Sequence, residues 1–203
     1  ELSSVAGFGE RHMDSLAKAI GGEGKYVVFV GSLTVPLHNA WADAAIAHQK
    51  KQWPKMQLVS ERFGVAESLD DSYRSAQDLM RAHPDLKGFL AFGSQGPIGA
   101  GRAVADARKD DRIAVVGSFS PGQGAKLVRD GVIREGFIWN PALAGEVIVH
   151  VGKMLIDGRE PRDGMEIPGL GKVQVDRERR NIQGQKLEPI NRQTIDRLVG
   201  LGL

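Results

Sequence analysis

The stretch Gly88-Phe-Leu-Ala-Phe-Gly-Ser-Gln-Gly-Pro-Ile-Gly-Ala-Gly101 decides the fold. Its opening is an apolar run with two aromatic rings, which reads as a strand buried on both faces. Gly93 to Gly96 turns the chain, and Pro97 suits the first turn of a helix, where its missing N–H costs nothing. Strand, turn and helix in direct succession make half of a βαβ unit. The same succession recurs on either side. Upstream, Tyr26-Val-Val-Phe-Val30 is a strand. A helix follows Asn39, with Trp41, Ala44, Ala45 and His48 on one side, and a strand covers 56–60. Ser68-Leu-Asp-Asp71 caps a helix carrying Leu69, Tyr73, Ala76, Leu79 and Met80 on one stripe. Downstream, 113–116 and 133–139 are strands, and Pro121 opens a short helix that stops at Gly131. Asn140-Pro141 caps a last long helix with Leu143, Val147, Val151, Met154 and Leu155, ending at Gly158.

Strands thus begin near 26, 56, 88, 113 and 133, with a helix between each pair. That alternation predicts an α/β fold: a doubly wound, Rossmann-like parallel sheet of about five strands in three αβα layers. Residues 1–23 are read as a leading helix, with Met13, Leu16 and Ile20 on one face and a stop at Gly21-Gly22. Residues 24–138 form the main lobe, and 139–203 a crossing, a helix and a tail. Short strands are expected at 172–175 and 186–190, and a helix at 194–199. These elements look too few to form a core of their own.

Composition excludes several classes. The 203 residues hold no cysteine, which removes disulfides, zinc–thiolate sites and thiol catalysis. The net charge of +2 gives no electrostatic footprint for nucleic acid. The longest apolar runs are about five residues, against ~18 for a membrane span. No signal sequence is visible in residues 1–9. Of the five histidines (12, 38, 48, 83 and 150), none pairs at a metal-binding spacing, and no metal or cofactor is expected. His48 and His150 lie in helices and read as structural, and His83 sits at a helix end, where it complements the dipole. His38 alone sits in a strand-end loop.

In open α/β sheets ligands bind beyond the carboxyl ends of the strands. The loops there are 31–40, 61–68, 92–97, 117–121 and 139–141. Gly93–Gly101 is in the right setting for a phosphate-cradling turn but has the wrong spacing for a dinucleotide fingerprint or a P-loop. No nucleophile elbow is present, and Ser32, Ser94, Ser118 and Ser120 have no evident base. What the loops share is neutral hydrogen-bonding groups and flat apolar ones, with few charges. That mixture suits a small polyhydroxylated ligand. The candidate ligand contacts are His38, Asn39, Phe92, Ser94, Gln95, Ser118, Phe119, Trp139 and Asn140.

Several stretches together resemble the sugar-type (type I) solute-binding proteins of bacterial ABC transporters, and most of all their autoinducer-2 and rhamnose branch. They are Gly24-Lys-Tyr-Val-Val-Phe-Val-Gly-Ser-Leu-Thr-Val35 with Asn39 and Trp41, Ala82-His-Pro-Asp-Leu86, and Ala114-Val-Val-Gly117 with Pro121. Gly131-Val-Ile-Arg-Glu135, Ile138-Trp-Asn-Pro141 and Ile167-Pro-Gly-Leu-Gly-Lys-Val173 complete the set. The resemblance implies a two-lobed periplasmic protein with its signal peptide removed, monomeric at full length. It would deliver a small sugar to an inner-membrane ABC permease, with no enzymatic activity and no nucleic-acid partner. Residues 1–23 would then lead in from a first lobe, and the tail would return toward it. Autoinducer-2 binders carry an Asp-Gln pair where Leu37-His38 stands here, and Pro-x-Ala where Phe92-Gly93-Ser94 stands. The departures point to a related sugar or deoxysugar. Two alternatives stand beside it: the effector-binding core of a sugar-responsive transcription regulator, which shares the fold, and a nicotinamide-dependent oxidoreductase, argued only by the Gly93–Gly101 turn.

Overall fold

The computed structural model describes residues 3–178 and 180–203. The chain divides into two compact units. The larger contains residues 5–138 and 189–203, and the smaller residues 139–188 with the described residues 3 and 4.

The larger unit alternates helix and strand. Its elements run α1 (Val5–Ile20), β1 (Gly24–Val30), α2 (Pro36–Gln52), β2 (Met56–Leu58), β3 (Phe63–Gly64), α3 (Leu69–Ala82), β4 (Leu86–Phe92), α4 (Gly96–Asp106), β5 (Ala114–Ser118), α5 (Pro121–Arg129) and β6 (Ile133–Ile138). The sheet order is β11-β6-β5-β4-β1-β2, with β3 added beside β1 and β11 being Glu188–Ile190. Pairing from β6 across to β2 is parallel. This is the doubly wound αβα arrangement expected from the alternation.

Strand residues alternate between two cores. Val27, Phe29, Phe89, Ala91 and Val115 face α3, α4, α5 and a last helix α7 (Ile195–Gly200). Tyr26 and Phe92 face the other way. The Tyr26 hydroxyl donates to Gln49 of α2 at 3.0 Å. Phe92 packs against Phe8 of α1 and Trp41 of α2, at centroid distances of 6.3 and 6.2 Å. Both faces of the central strands are therefore dry, which is why they read as continuous apolar runs. Within the larger unit α1 packs on α2 and on the sheet.

One helix boundary moves. Pro36, not Asn39, opens α2, with Val35 at the cap position and proline preset for the first turn. The Ser68 cap of α3 is as anticipated, its hydroxyl oxygen accepting the Asp71 N–H at 3.2 Å.

In the smaller unit, Asn140 caps α6 (Pro141–Ile156), its Oδ1 accepting N–H groups from Ala142 and Leu143. Two antiparallel hairpins follow: β7 (Glu166–Ile167) with β8 (Gly171–Lys172), and β9 (Gln174–Asp176) with β10 (Asn181–Gln183). The expected 172–175 strand is broken at Val173, and that at 186–190 is reduced to β11. Ile167, Leu170 and Val173 bury themselves against Val147 of α6. The tight turn at Gly169 (φ +80°) and Gly171 (φ +76°) folds these three residues onto the helix. The opposite side of α6 stays open, with Ile148, Val149, Leu155 and Ile156 exposed.

Candidate functional site

The carboxyl ends of β1, β4 and β5 bring the loops of the larger unit to one edge. Register pairs Val30 with Phe92 and Phe92 with Ser118, so those three strands end level.

After β1 the chain turns at Gly31. The Gly31 N–H donates to Nδ1 of His38 at 3.2 Å. An acceptor at Nδ1 places the ring proton on Nε2 in the neutral form. Burial lowers the His38 pKa more than the nearby Glu67 charge raises it, so the neutral ring persists through physiological pH. The ring stacks on Trp41 with centroids 5.3 Å apart and planes inclined by 17°. Trp41 in turn lies 4.3 Å from Phe8. Trp41 is itself buried and braces the part-exposed His38 ring, which sits in the first turn of α2 rather than in the strand-end loop expected.

Asn39 is spent on its own loop. Its Nδ2 donates to the Ser32 and Val35 carbonyls at 3.0 and 2.8 Å, and its Oδ1 accepts from Arg62 at 3.1 Å. Arg62 also pairs with Asp43. Gln95 is joined to Gln123 of α5 at 3.0 Å. Ser94 donates its hydroxyl to Glu67 at 2.6 Å. Ser118 ends β5, half-buried.

The two phenylalanines lie beneath the edge. Phe92 is fully buried among Phe8, His12 and Trp41. Phe119 is likewise buried, and a Cβ on Gly124 or Gly136 would strike its ring. Both rings therefore serve the core. Trp139 and Asn140 belong to the smaller unit, where Trp139 packs on the α6 cluster and Asn140 is the helix cap.

The edge also carries charges that the sequence reading passed over. Glu67 and Arg62 come from loop 61–68. Glu67 stands immediately before the Ser68 cap of α3, where its carboxylate meets Ser94 just past the end of β4.

The glycine-rich turn is not a phosphate cradle. The N–H groups of Gln95 and Gly96 both donate to the Ala66 carbonyl, at 2.9 and 2.8 Å. A Cβ on Gly96 would stand 2.7 Å from that of Ala66, and one on Gly99 would stand 2.6 Å from the Leu69 carbonyl oxygen. The glycines let α4 approach α3, and the amides that a pyrophosphate would need are already bound. This removes the basis for the oxidoreductase alternative. Among the described residues there is no group of three or more metal-ligating side chains, and no helix is long and apolar enough to cross a membrane. The smaller unit holds a groove of about 620 Å³ lined by Leu170, Lys172, Gln174, Gln183 and Lys186, which no sequence signal announced.

Comparison with known proteins agrees with this geometry. The family described as periplasmic binding protein domain matches residues 4–160. A D-apiose import binding protein of Paraburkholderia graminis is 31% identical over 125 residues, covering 59% of this chain and 36% of that protein. A sugar ABC transporter structure from Actinomyces odontolyticus superposes with a TM-score of 0.85 at 20% identity, covering 96% of this chain and 64% of the other. A solute-binding protein from Clostridium phytofermentas with bound L-rhamnose gives 0.82 at 17%, covering 98% and 66%. LsrB from Clostridium saccharobutylicum in complex with AI-2 gives 0.79 at 14%, covering 96% and 68%. The chain thus spans about a third of the curated relative and just under two thirds of the first of these structures.

Proposed function

The chain belongs to the periplasmic binding protein domain family, and from that membership we propose that it is the sugar-binding part of an ABC importer's solute receptor. It acts outside the cytoplasm, in the periplasm, and catalyses no reaction. The observation that supports this best is the part-exposed His38 ring, backed by the buried Trp41, standing beside the Ser94 hydroxyl and the Glu67 carboxylate. Flat rings cover the C–H faces of a sugar, and fixed polar groups take its hydroxyls. The edge of the larger unit supplies one wall of the site, and a further lobe of the whole protein covers it on closing. Closure then presents the loaded receptor to a membrane permease. The exposed apolar residues of α6, Ile148, Val149, Leu155 and Ile156, suit a helix that packs into that further lobe. The relative from Paraburkholderia graminis is a D-apiose import binding protein, and a small neutral aldose or deoxysugar is the ligand class favoured here.

The test is a thermal-shift series on the whole gene product and on this chain, using D-apiose, L-rhamnose, D-arabinose, autoinducer-2 and NAD. A ligand at a hundred times its dissociation constant adds about 2.7 kcal/mol of stability. A shift with one sugar supports the proposal, and a shift with NAD alone defeats it. His38→Ala removes the stacked face and should weaken the sugar that binds. Unchanged affinity would take His38 out of the site.

A further inference from the structure

Glu67, the carboxylate beside the His38 ring, is held in place by its neighbours. Its side chain is 48% exposed. Its Oε2 accepts the Ser94 hydroxyl at 2.6 Å, and its Oε1 the Ser94 N–H at 3.4 Å. A carboxylate offers about four acceptor sites, so about half remain open. His38 does not use them at neutral pH. Its Nδ1 lies 3.9 Å from Oε1, but that nitrogen already accepts the Gly31 N–H and holds no proton to give. The convergence of the two side chains depends on a missing methyl. A Cβ on Gly31 would stand 2.6 Å from His38 Nδ1 and 2.9 Å from Glu67 Cγ. No cation pairs with Glu67 among the described residues. Arg62, from the same loop, is turned to Asn39 and Asp43.

A fixed anion with open acceptor sites beside a flat ring face is a recognition unit for adjacent hydroxyls. The hydroxyls donate charge-assisted bonds to the carboxylate while the carbon face lies on the ring. The same anion repels a carboxylate or phosphate on the ligand.

We propose that Glu67 is the specificity-determining acceptor of this edge, selecting neutral sugars with adjacent free hydroxyls over sugar acids and sugar phosphates. The inference rests on the sugar-binding reading of the same site. Ser94 holds the carboxylate from one side and Gly31 leaves room for it.

The experiment is calorimetric titration of the whole gene product with D-apiose, L-rhamnose, D-arabinose and D-glucuronate, in wild type, Glu67→Gln and Ser94→Ala. Circular dichroism establishes that each variant is folded. The expected result is a neutral sugar that binds Glu67→Gln at least tenfold more weakly than wild type. Ser94→Ala should give a smaller loss, and D-glucuronate should be rejected by wild type but less strongly by Glu67→Gln. An affinity within twofold of wild type in Glu67→Gln would overturn the role of Glu67 and leave the sugar-binding reading standing. If none of the four ligands, nor autoinducer-2, binds the wild type, the sugar reading falls and this inference with it.

Discussion

His12 makes the protein sensitive to acid, by an amount that follows from its surroundings. It lies in α1 with no exposure to solvent. Its Nδ1 donates to the Phe8 carbonyl at 2.8 Å, and its Nε2 has no hydrogen-bond partner. Phe8, Phe92 and Phe137 surround the ring at centroid distances of 4.5, 5.4 and 5.0 Å. Burial drives the pKa from 6.5 down to about 4, against weaker opposing pulls from the Phe8 and Gly117 backbone. In the unfolded chain the ring titrates near 6.5. The folded state therefore binds fewer protons between those two values, and stability falls as pH drops through that window. The loss is small at pH 7, about 2 kcal/mol at pH 5 and about 3 kcal/mol once both states are protonated below pH 4. Urea unfolding followed by circular dichroism at pH 7 and pH 5 measures it. His12→Leu keeps an apolar side chain of similar bulk and cannot take up a proton. Its stability should fall by about 2 kcal/mol less than that of wild type over the same interval. Equal losses in the two proteins would refute the argument and mean that water or an opened α1 already solvates the ring.

Two further outcomes follow from local geometry. Gly31→Ala places a methyl where His38 and Glu67 converge, and should lower sugar affinity at least tenfold while leaving the circular dichroism spectrum unchanged. Retained affinity would mean that the two side chains separate without loss. Asn140→Ala removes the acceptor for the first N–H groups of α6 and should cost about 1 kcal/mol, read as a lowered unfolding midpoint, with Asn140→Ser recovering most of it.

Much of the larger unit was legible because its determinants are local. Continuous apolar runs with glycine and proline between them identify buried parallel strands, and Ser68 and Asn140 act as caps wherever their helices pack. The level ends of β1, β4 and β5 follow from parallel pairing, so the loops that meet at that edge could be read from the sequence. The family stretches from Gly24 to Ile138 were legible for the same reason, since most of them are strands and turns of this sheet, whereas Ile167–Val173 forms the β7–β8 hairpin of the smaller unit. Local pattern misjudged α2, because the proline at position 36 outweighs the cap preference of Asn39.

What tertiary structure alone decided is how polar groups are shared out. Asn39 and Gln95 look like ligand amides in the sequence, but loop 31–35 and Gln123 already bind them. Phe92 and Phe119 look like platform rings but lie in the core, because the direction of a strand-end side chain depends on sheet register and on the helices above it. The Gly93–Gly101 turn looks like an anion cradle until Ala66, distant in sequence, fills it. Glu67 gains meaning only when Ser94 and Gly31 are brought beside it from other loops. Burial and hydrogen-bond pairing are relations between segments, whereas helix and strand formation here is dictated within them. The fold was therefore determined by the sequence read locally, and the site by which distant residues the fold brings together.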